Sequence, residues 1–73
     1  MERKTVTSSV IASVGYDAEA RTLEIEFTTS RVYQYFLVPP EIYWALMSAE
    51  SLGRYFNAEI RNRFPNREIS ESV

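Results

Sequence analysis

The sequence predicts an α+β fold: a three-stranded antiparallel β-meander with a C-terminal helical hairpin packed on one face, in the order β-β-β-α-α. Three observations carry that expectation. Apolar residues recur at every second position in the first half of the chain and at every third or fourth in the second. The switch falls on Val38-Pro39-Pro40, where a double proline ends extended backbone and opens a helix. The chain has 73 residues and no cysteine, which limits it to one small, unstapled domain.

Residues 1–7 are expected to form a flexible lead-in to a domain spanning 8–64. Alternation starts at Val10, with Ala12, Val14 and Tyr16 on one strand face and Ile11, Ser13 and Gly15 on the other. Asp17 is placed to start a turn, because its carboxylate can accept a backbone N–H two residues on. Thr22 to Phe27 follows as the cleanest alternation in the chain: Leu23, Ile25 and Phe27 point inward, and Glu24 and Glu26 toward water. Pairing Asp17 with Thr22 sets Tyr16 opposite Leu23, Val14 opposite Ile25 and Ala12 opposite Phe27, so both apolar faces coincide.

A third strand is expected from Val32 to Leu37, and two registers are open to it. A two-residue turn at Thr29-Ser30 pairs Phe27 with Val32 and turns Val32, Gln34 and Phe36 to the core. A three-residue loop over Thr28–Ser30 pairs Phe27 with Arg31 and Ile25 with Tyr33, which turns Tyr33, Tyr35 and Leu37 inward. The first needs positive φ at two residues and the second only at Ser30, so strain favours tyrosines facing the core.

After the prolines, a helix to about Glu50 has Ile42, Tyr43, Leu46, Met47 and Ala49 as its apolar arc, with Glu41 complementing its N-terminus. Ser51 is a natural N-cap for a second helix. Leu52, Phe56, Ile60 and Phe64 recur at four-residue spacing along it, Gly53 offers a close approach of the two helices, and Pro65 stops it. Residues 65–73 are expected to form a flexible tail.

Composition removes whole classes of function. Without cysteine or histidine the chain lacks thiolate chemistry, the commonest transition-metal ligand and the commonest general base. Glu24 and Glu26 share a strand face with no pocket, so they read as a wetted surface, not an acid/base pair. No enzyme activity, cofactor or metal is expected. No run approaches the roughly 18 apolar residues of a membrane span, and the N-terminus lacks the apolar run of a signal peptide, so a cytoplasmic location without membrane contact is expected. Ten aromatic residues compensate for a chain this short, which buries only about 60% of its unfolded surface.

Charge is uneven along the chain. Residues 1–50 set four cations against seven acids, whereas residues 51–67 set Arg54, Arg61, Arg63 and Arg67 against Glu59 alone. Arginine suits bidentate phosphate recognition and stacking on bases. Arg54 and Arg61, seven residues apart with Asn57 between them, would share one helix side, with Arg63 and Tyr55 nearby. The plainer reading of that group is the solvated face of an amphipathic helix. Tyr33 and Tyr35 would be a base-stacking platform if they were exposed, and core residues with hydroxyls at the rim if they were not. Ser51-Leu52-Gly53 could offer N–H groups to an anion, but a helix cap explains it.

Several stretches together resemble the KTSC domain family: Ser8-Ser9-x-Ile11, Gly15-Tyr16-Asp17, Leu23 to Phe27, Tyr33-x-Tyr35-x-x-Val38-Pro39, Tyr43-x-x-Leu46, and Ala49-x-Ser51-x-Gly53-x-Tyr55-Phe56-Asn57-x-x-Ile60-Arg61. The resemblance covers about residues 7–64. Ser30 departs from it, standing where members often carry glycine. The family is named for the C-terminal domain of some lysyl-tRNA synthetases and also occurs as a free-standing small protein, the form expected of this chain. The resemblance implies a binding module for which RNA has been suggested as ligand. The expected function is therefore non-catalytic binding of RNA, structured (such as tRNA) or single-stranded, through Arg54, Asn57, Arg61, Arg63, Tyr33, Tyr35 and Tyr55. The alternative is a protein–protein or homodimerisation module that uses the open face of the sheet.

Overall fold

The meander forms where the alternation places it, and a short strand extends it on either side. Among residues 1–70, which the computed structural model describes, the elements are β1 (Arg3–Thr5), β2 (Ile11–Asp17), β3 (Thr22–Phe27), β4 (Val32–Tyr35), α1 (Pro40–Ser48), α2 (Leu52–Glu59) and β5 (Asn66–Glu68). The five strands make one antiparallel sheet in the order β1-β2-β3-β4-β5. The fold is α+β with two helices, but the sheet has five strands and not three. The lead-in and the tail each hold one of the additional strands. Residues 71–73 of the expected tail lie outside the described residues.

The β2–β3 hairpin has the expected register, with Asp17 opposite Thr22, Tyr16 opposite Leu23 and Val14 opposite Ile25. The Asp17 carboxylate accepts the backbone N–H groups of Glu19 (3.1 Å) and Ala20 (3.2 Å), which fixes the turn. The pairing of Ala12 with Phe27 does not form. The register slips between Ile11 and Ser13, so Ile11 faces Phe27. Such a bulge sends Ile11 into the core, where it is fully buried, instead of leaving it on the polar face.

The three-residue loop governs the next hairpin. Ser30 has φ 74°, its N–H donates to the Phe27 carbonyl (2.9 Å), and the Phe27 N–H donates to the Arg31 carbonyl (2.8 Å). Ile25 then faces Tyr33 and Leu23 faces Tyr35, which turns both tyrosines toward the helices. Leu37 does not follow them. The strand ends at Tyr35, and Leu37 sits at φ 62° with its side chain exposed. That left-handed residue swings Val38 inward instead. Val38 is fully buried and its N–H donates to the Arg21 carbonyl (2.9 Å).

Pro40 opens α1 and Glu41 lies in its first turn. Leu46 is buried, and Ile42, Tyr43 and Met47 pack against the core. Tyr43 stacks on Tyr16 (centroids 4.9 Å apart), and the Tyr16 hydroxyl donates to the Val38 carbonyl (2.6 Å), so the first hairpin is clamped to α1. The Ser51 hydroxyl caps α2 by accepting the Arg54 N–H (3.3 Å). Gly53 makes its close approach to Val10, not to α1.

The second helix stops at Glu59, well short of Phe64. Ile60 and Arg61 both donate their N–H to the Phe56 carbonyl, and Arg63 donates to the Ile60 carbonyl. This tight turn drives Ile60 into the core, where it is fully buried. It also sends the chain back toward the sheet. The Phe36 N–H donates to the Pro65 carbonyl (2.8 Å), and β5 pairs with β4, Gln34 opposite Arg67. The core is Ile11, Val14, Leu23, Ile25, Tyr35, Val38, Leu46, Phe56 and Ile60, all between the sheet and the two helices.

The face away from the helices is polar at its centre. Glu24, expected to be wetted, is only 6% exposed. Arg3 forms an ion pair with it, and the Gln34 amide donates to it (3.0 Å). Arg3 Nε also donates to Ser13 Oγ (3.0 Å), which in turn donates to Glu26 (2.8 Å). Burial of Glu24 depends on β1, which lays Arg3 over it.

Candidate nucleic-acid interface

The register that turns Tyr33 and Tyr35 inward also places them beside the turn that follows α2. A cleft of about 410 Å³ opens there, between the β4–β5 end of the sheet and the C-terminal half of α2. Its apolar lining is Phe27, Tyr33, Tyr35 and Phe56, with Val10 at one side. The four rings contact one another in a closed cycle. Phe27 meets Tyr33 edge to face at 5.9 Å, Tyr33 lies 6.3 Å from Tyr35, Tyr35 meets Phe56 edge to face at 5.5 Å, and Phe56 meets Phe27 at 5.2 Å. Tyr35 and Phe56 are each 4% exposed and form the floor, whereas Phe27 and Tyr33 are half-buried and still offer surface.

The polar lining comes from Asn57 on α2, from Arg61 and Asn62 in the turn after it, and from Asn66 on β5. Arg61 is the single charged residue of the lining. Burial pushes the Tyr35 hydroxyl up to about 12, the neighbouring Tyr33 adds to the rise, and Arg61 works against it. The cleft is therefore aromatic at its base and positive at its rim.

Four of the seven residues expected to form a binding surface meet in this cleft: Tyr33, Tyr35, Asn57 and Arg61. Tyr35 is a floor residue, so an exposed two-tyrosine stacking platform does not exist. Arg54 stands elsewhere, in a neighbouring cleft of about 340 Å³ that it shares with Ser8, Ser9, Ser51 and one acid, Glu50. Asn57 and Val10 line both clefts, which makes them two compartments of one groove along α2. Arg54 and Arg61 consequently flank Asn57 along the groove, although Arg61 lies past the end of the helix. Arg63 is exposed and lines neither compartment. Tyr55 also lines neither. It is half-buried against the core, and burial followed by the Glu59 charge raises its pKa.

Phe27, Asn62 and Asn66 were not among the residues expected to bind. Asn62 and Asn66 flank Arg63-Phe64-Pro65, and asparagine beside proline marks a turn. That signal locates the reversal, but not the pairing of β5 that carries Asn66 to the rim. β5 is held there by Glu68, which takes an ion pair from Arg31 (3.2 Å) and hydrogen bonds from Ser70 and, at 3.4 Å, from the Tyr33 hydroxyl. Among the described residues no helix is long and apolar enough to cross a membrane, and no acidic cluster could hold a metal ion.

Known proteins share both the sequence and this architecture. A protein of Stutzerimonas stutzeri whose function is uncharacterised is 49% identical over 57 residues, 78% of this chain and 80% of that protein. A stretch of the lysine–tRNA ligase of Nostoc punctiforme is 40% identical over 62 residues, which is 85% of this chain but only 11% of the ligase. The crystal structure of a KTSC domain protein from Yersinia pestis superimposes with a TM-score of 0.91 at 44% identity, covering 93% of this chain and 96% of that one. The family model for the KTSC domain matches residues 7–64, so the chain belongs to the KTSC domain family.

Proposed function

We propose that this domain is a non-catalytic RNA-binding module that holds an unpaired stretch of RNA in the groove along α2. One observation carries the reading: an aromatic-walled cleft rimmed by Arg61 continues, past Asn57, into a polar compartment bearing Arg54. Ring surface beside a basic, amide-bearing rim suits single strands, whose bases are free to stack and whose phosphates follow the cations. The kinship with a stretch of lysine–tRNA ligases adds weight, since those enzymes act on a tRNA. The polar network of Arg3, Glu24 and Gln34 at the centre of the open sheet face gives a homodimer or protein partner less apolar surface to use there.

Titration of the isotopically labelled protein with a short single-stranded RNA and with tRNA at low salt tests the reading. Resonances of Tyr33, Asn57 and Arg61 move on binding. The Arg61→Glu variant binds more weakly, and its affinity falls less steeply with salt, by at least about 0.7 in the logarithmic slope for one lost single-strand phosphate contact. Arg63→Ala, outside the groove, leaves the affinity close to that of the parent. Absence of any shift with either RNA at low salt ends the reading.

A further inference from the structure

The chemistry of the cleft narrows what it can hold. Its ring cycle could in principle cage a cation, because aromatic faces attract ammonium and guanidinium groups. The lining argues against that: it contains no carboxylate, and its one charged residue is Arg61. Glu68, which accepts from the Tyr33 hydroxyl, lies outside the lining and is already engaged by Arg31 and Ser70. The suitable ligand is thus flat, apolar on its faces and anionic at one end. At about 410 Å³ the cleft falls near the small end of the usual range for small-ligand sites, roughly 300–1,000 Å³. That accommodates one nucleotide, and no duplex.

The amides at the rim discriminate further. Asn66 already donates to the Phe64 carbonyl (3.2 Å). The side chains of Asn57 and Asn62 have no hydrogen-bond partner among the described residues and remain available. A carboxamide sets a donor and an acceptor side by side, which matches the N6 amino group and N7 of adenine with two bonds. An unpaired cytosine offers a carboxamide the same donor–acceptor pair at N4 and N3, but on a single ring that covers less of the aromatic wall than a purine does.

We propose that this cleft is a site for a single unstacked adenine nucleotide. The base lies against Tyr33 and Phe27, Asn57 or Asn62 reads its edge, and Arg61 binds its phosphate. The site rests on the RNA reading above when the nucleotide belongs to an RNA strand, and the same chemistry would accept a free adenine nucleotide.

The test titrates the intact labelled chain with AMP, GMP, CMP, UMP and adenosine, and in parallel with two short RNAs, one containing adenine and one all uracil. AMP is expected to shift Tyr33, Phe27, Asn57 and Asn62. Its affinity should exceed that of CMP or UMP by about fivefold or more, because the double ring stacks over more of Tyr33 and Phe27. Adenosine should bind more weakly than AMP, and Arg61→Ala should erase that difference. The double variant Asn57→Ala/Asn62→Ala should weaken AMP binding and narrow the base preference while still binding AMP more tightly than adenosine. Both variants alter exposed positions, so the fold is retained. If RNA binds while no mononucleotide moves the cleft residues, or while all four do so equally, the adenine site is wrong and the RNA reading stands. If AMP binds as described while neither RNA binds, the site is one for the free nucleotide and the RNA reading falls.

Discussion

Arg3 on β1 reaches Glu24 on β3 by passing over Gly15 on the strand between them. A Cβ built on Gly15 would lie 3.0 Å from Arg3 Cγ and 2.7 Å from the Glu2 carbonyl oxygen. The glycine is a channel for the arginine side chain, and the arginine gives an ion-pair partner to a carboxylate that is only 6% exposed.

Removing Arg3 should therefore be felt in the middle of the sheet. Arg3→Ala leaves Glu24 with only the Gln34 amide as partner. The arginine side chain is itself 30% exposed, which limits the loss. We expect destabilisation of about 2 kcal/mol in urea unfolding, and a smaller loss for Glu24→Gln, which abolishes the charge as well as the pair. Equal stability of Arg3→Ala and parent would show that β1 contributes no ion pair in solution.

The two glycines should respond in opposite directions to alanine. At Gly15 the added methyl meets backbone and must displace β1, costing about 1–3 kcal/mol. At Gly53 it meets only Val10, at 3.4 Å, an ordinary contact, and the first turn of α2 gains a better helix former. Gly53→Ala should be neutral or stabilising by up to about 0.5 kcal/mol. Thermal midpoints of the two variants measure the contrast.

Ser30 and Leu37 hold left-handed backbone that suits glycine, at φ 74° and 62°. Both are exposed, so little packing is lost on substitution. Ser30→Gly and Leu37→Gly should each stabilise by about 0.5–1 kcal/mol, the relief of strain exceeding the added freedom of the unfolded chain. A fall in the denaturation midpoint of Ser30→Gly would contradict the loop geometry that sets the register of Tyr33.

Tyr35 should make the protein sensitive to alkali. Its pKa rises from 10.0 to about 12 in the fold, mainly through burial. Between those values the unfolded chain has released the proton and the folded chain has kept it, so the unfolded state binds fewer protons and stability falls as pH rises. The contribution is complete below pH 10 and lost as pH climbs to about 12. A tyrosinate absorbance titration should show a delayed component, to which Tyr35 contributes most, that disappears in denaturant.

Particular residues show why the fold was partly legible. Asp17 and the single strained position of the loop at Ser30 carry local chemistry, and each selects the register beside its own turn, whereas the slip at Ala12 has no such signal. β1 and β5 are three residues each with no alternation to announce them, and they exist only because a neighbouring strand offers a partner. Phe64 prolongs the four-residue rhythm of α2 beyond its true end, because periodicity cannot register a turn imposed by the return of β5. The site divides in the same way. Tyr33, Tyr35, Asn57 and Arg61 could be named as candidates from residue type and spacing, yet their convergence depends on that turn and on β5. For the same reason Phe27, Asn62 and Asn66 escaped notice.

The two short outer strands have a further consequence. Each carries two charged residues, Arg3 and Lys4 on one side and Arg67 and Glu68 on the other. The span matched to the family, residues 7–64, stops short of both. A fragment trimmed to that span would bare the unpaired N–H and C=O groups of β2 and β4, which invite the strands of other copies. In the described residues β1 and β5 cover those edges, so trimming should raise the tendency of the domain to self-polymerise.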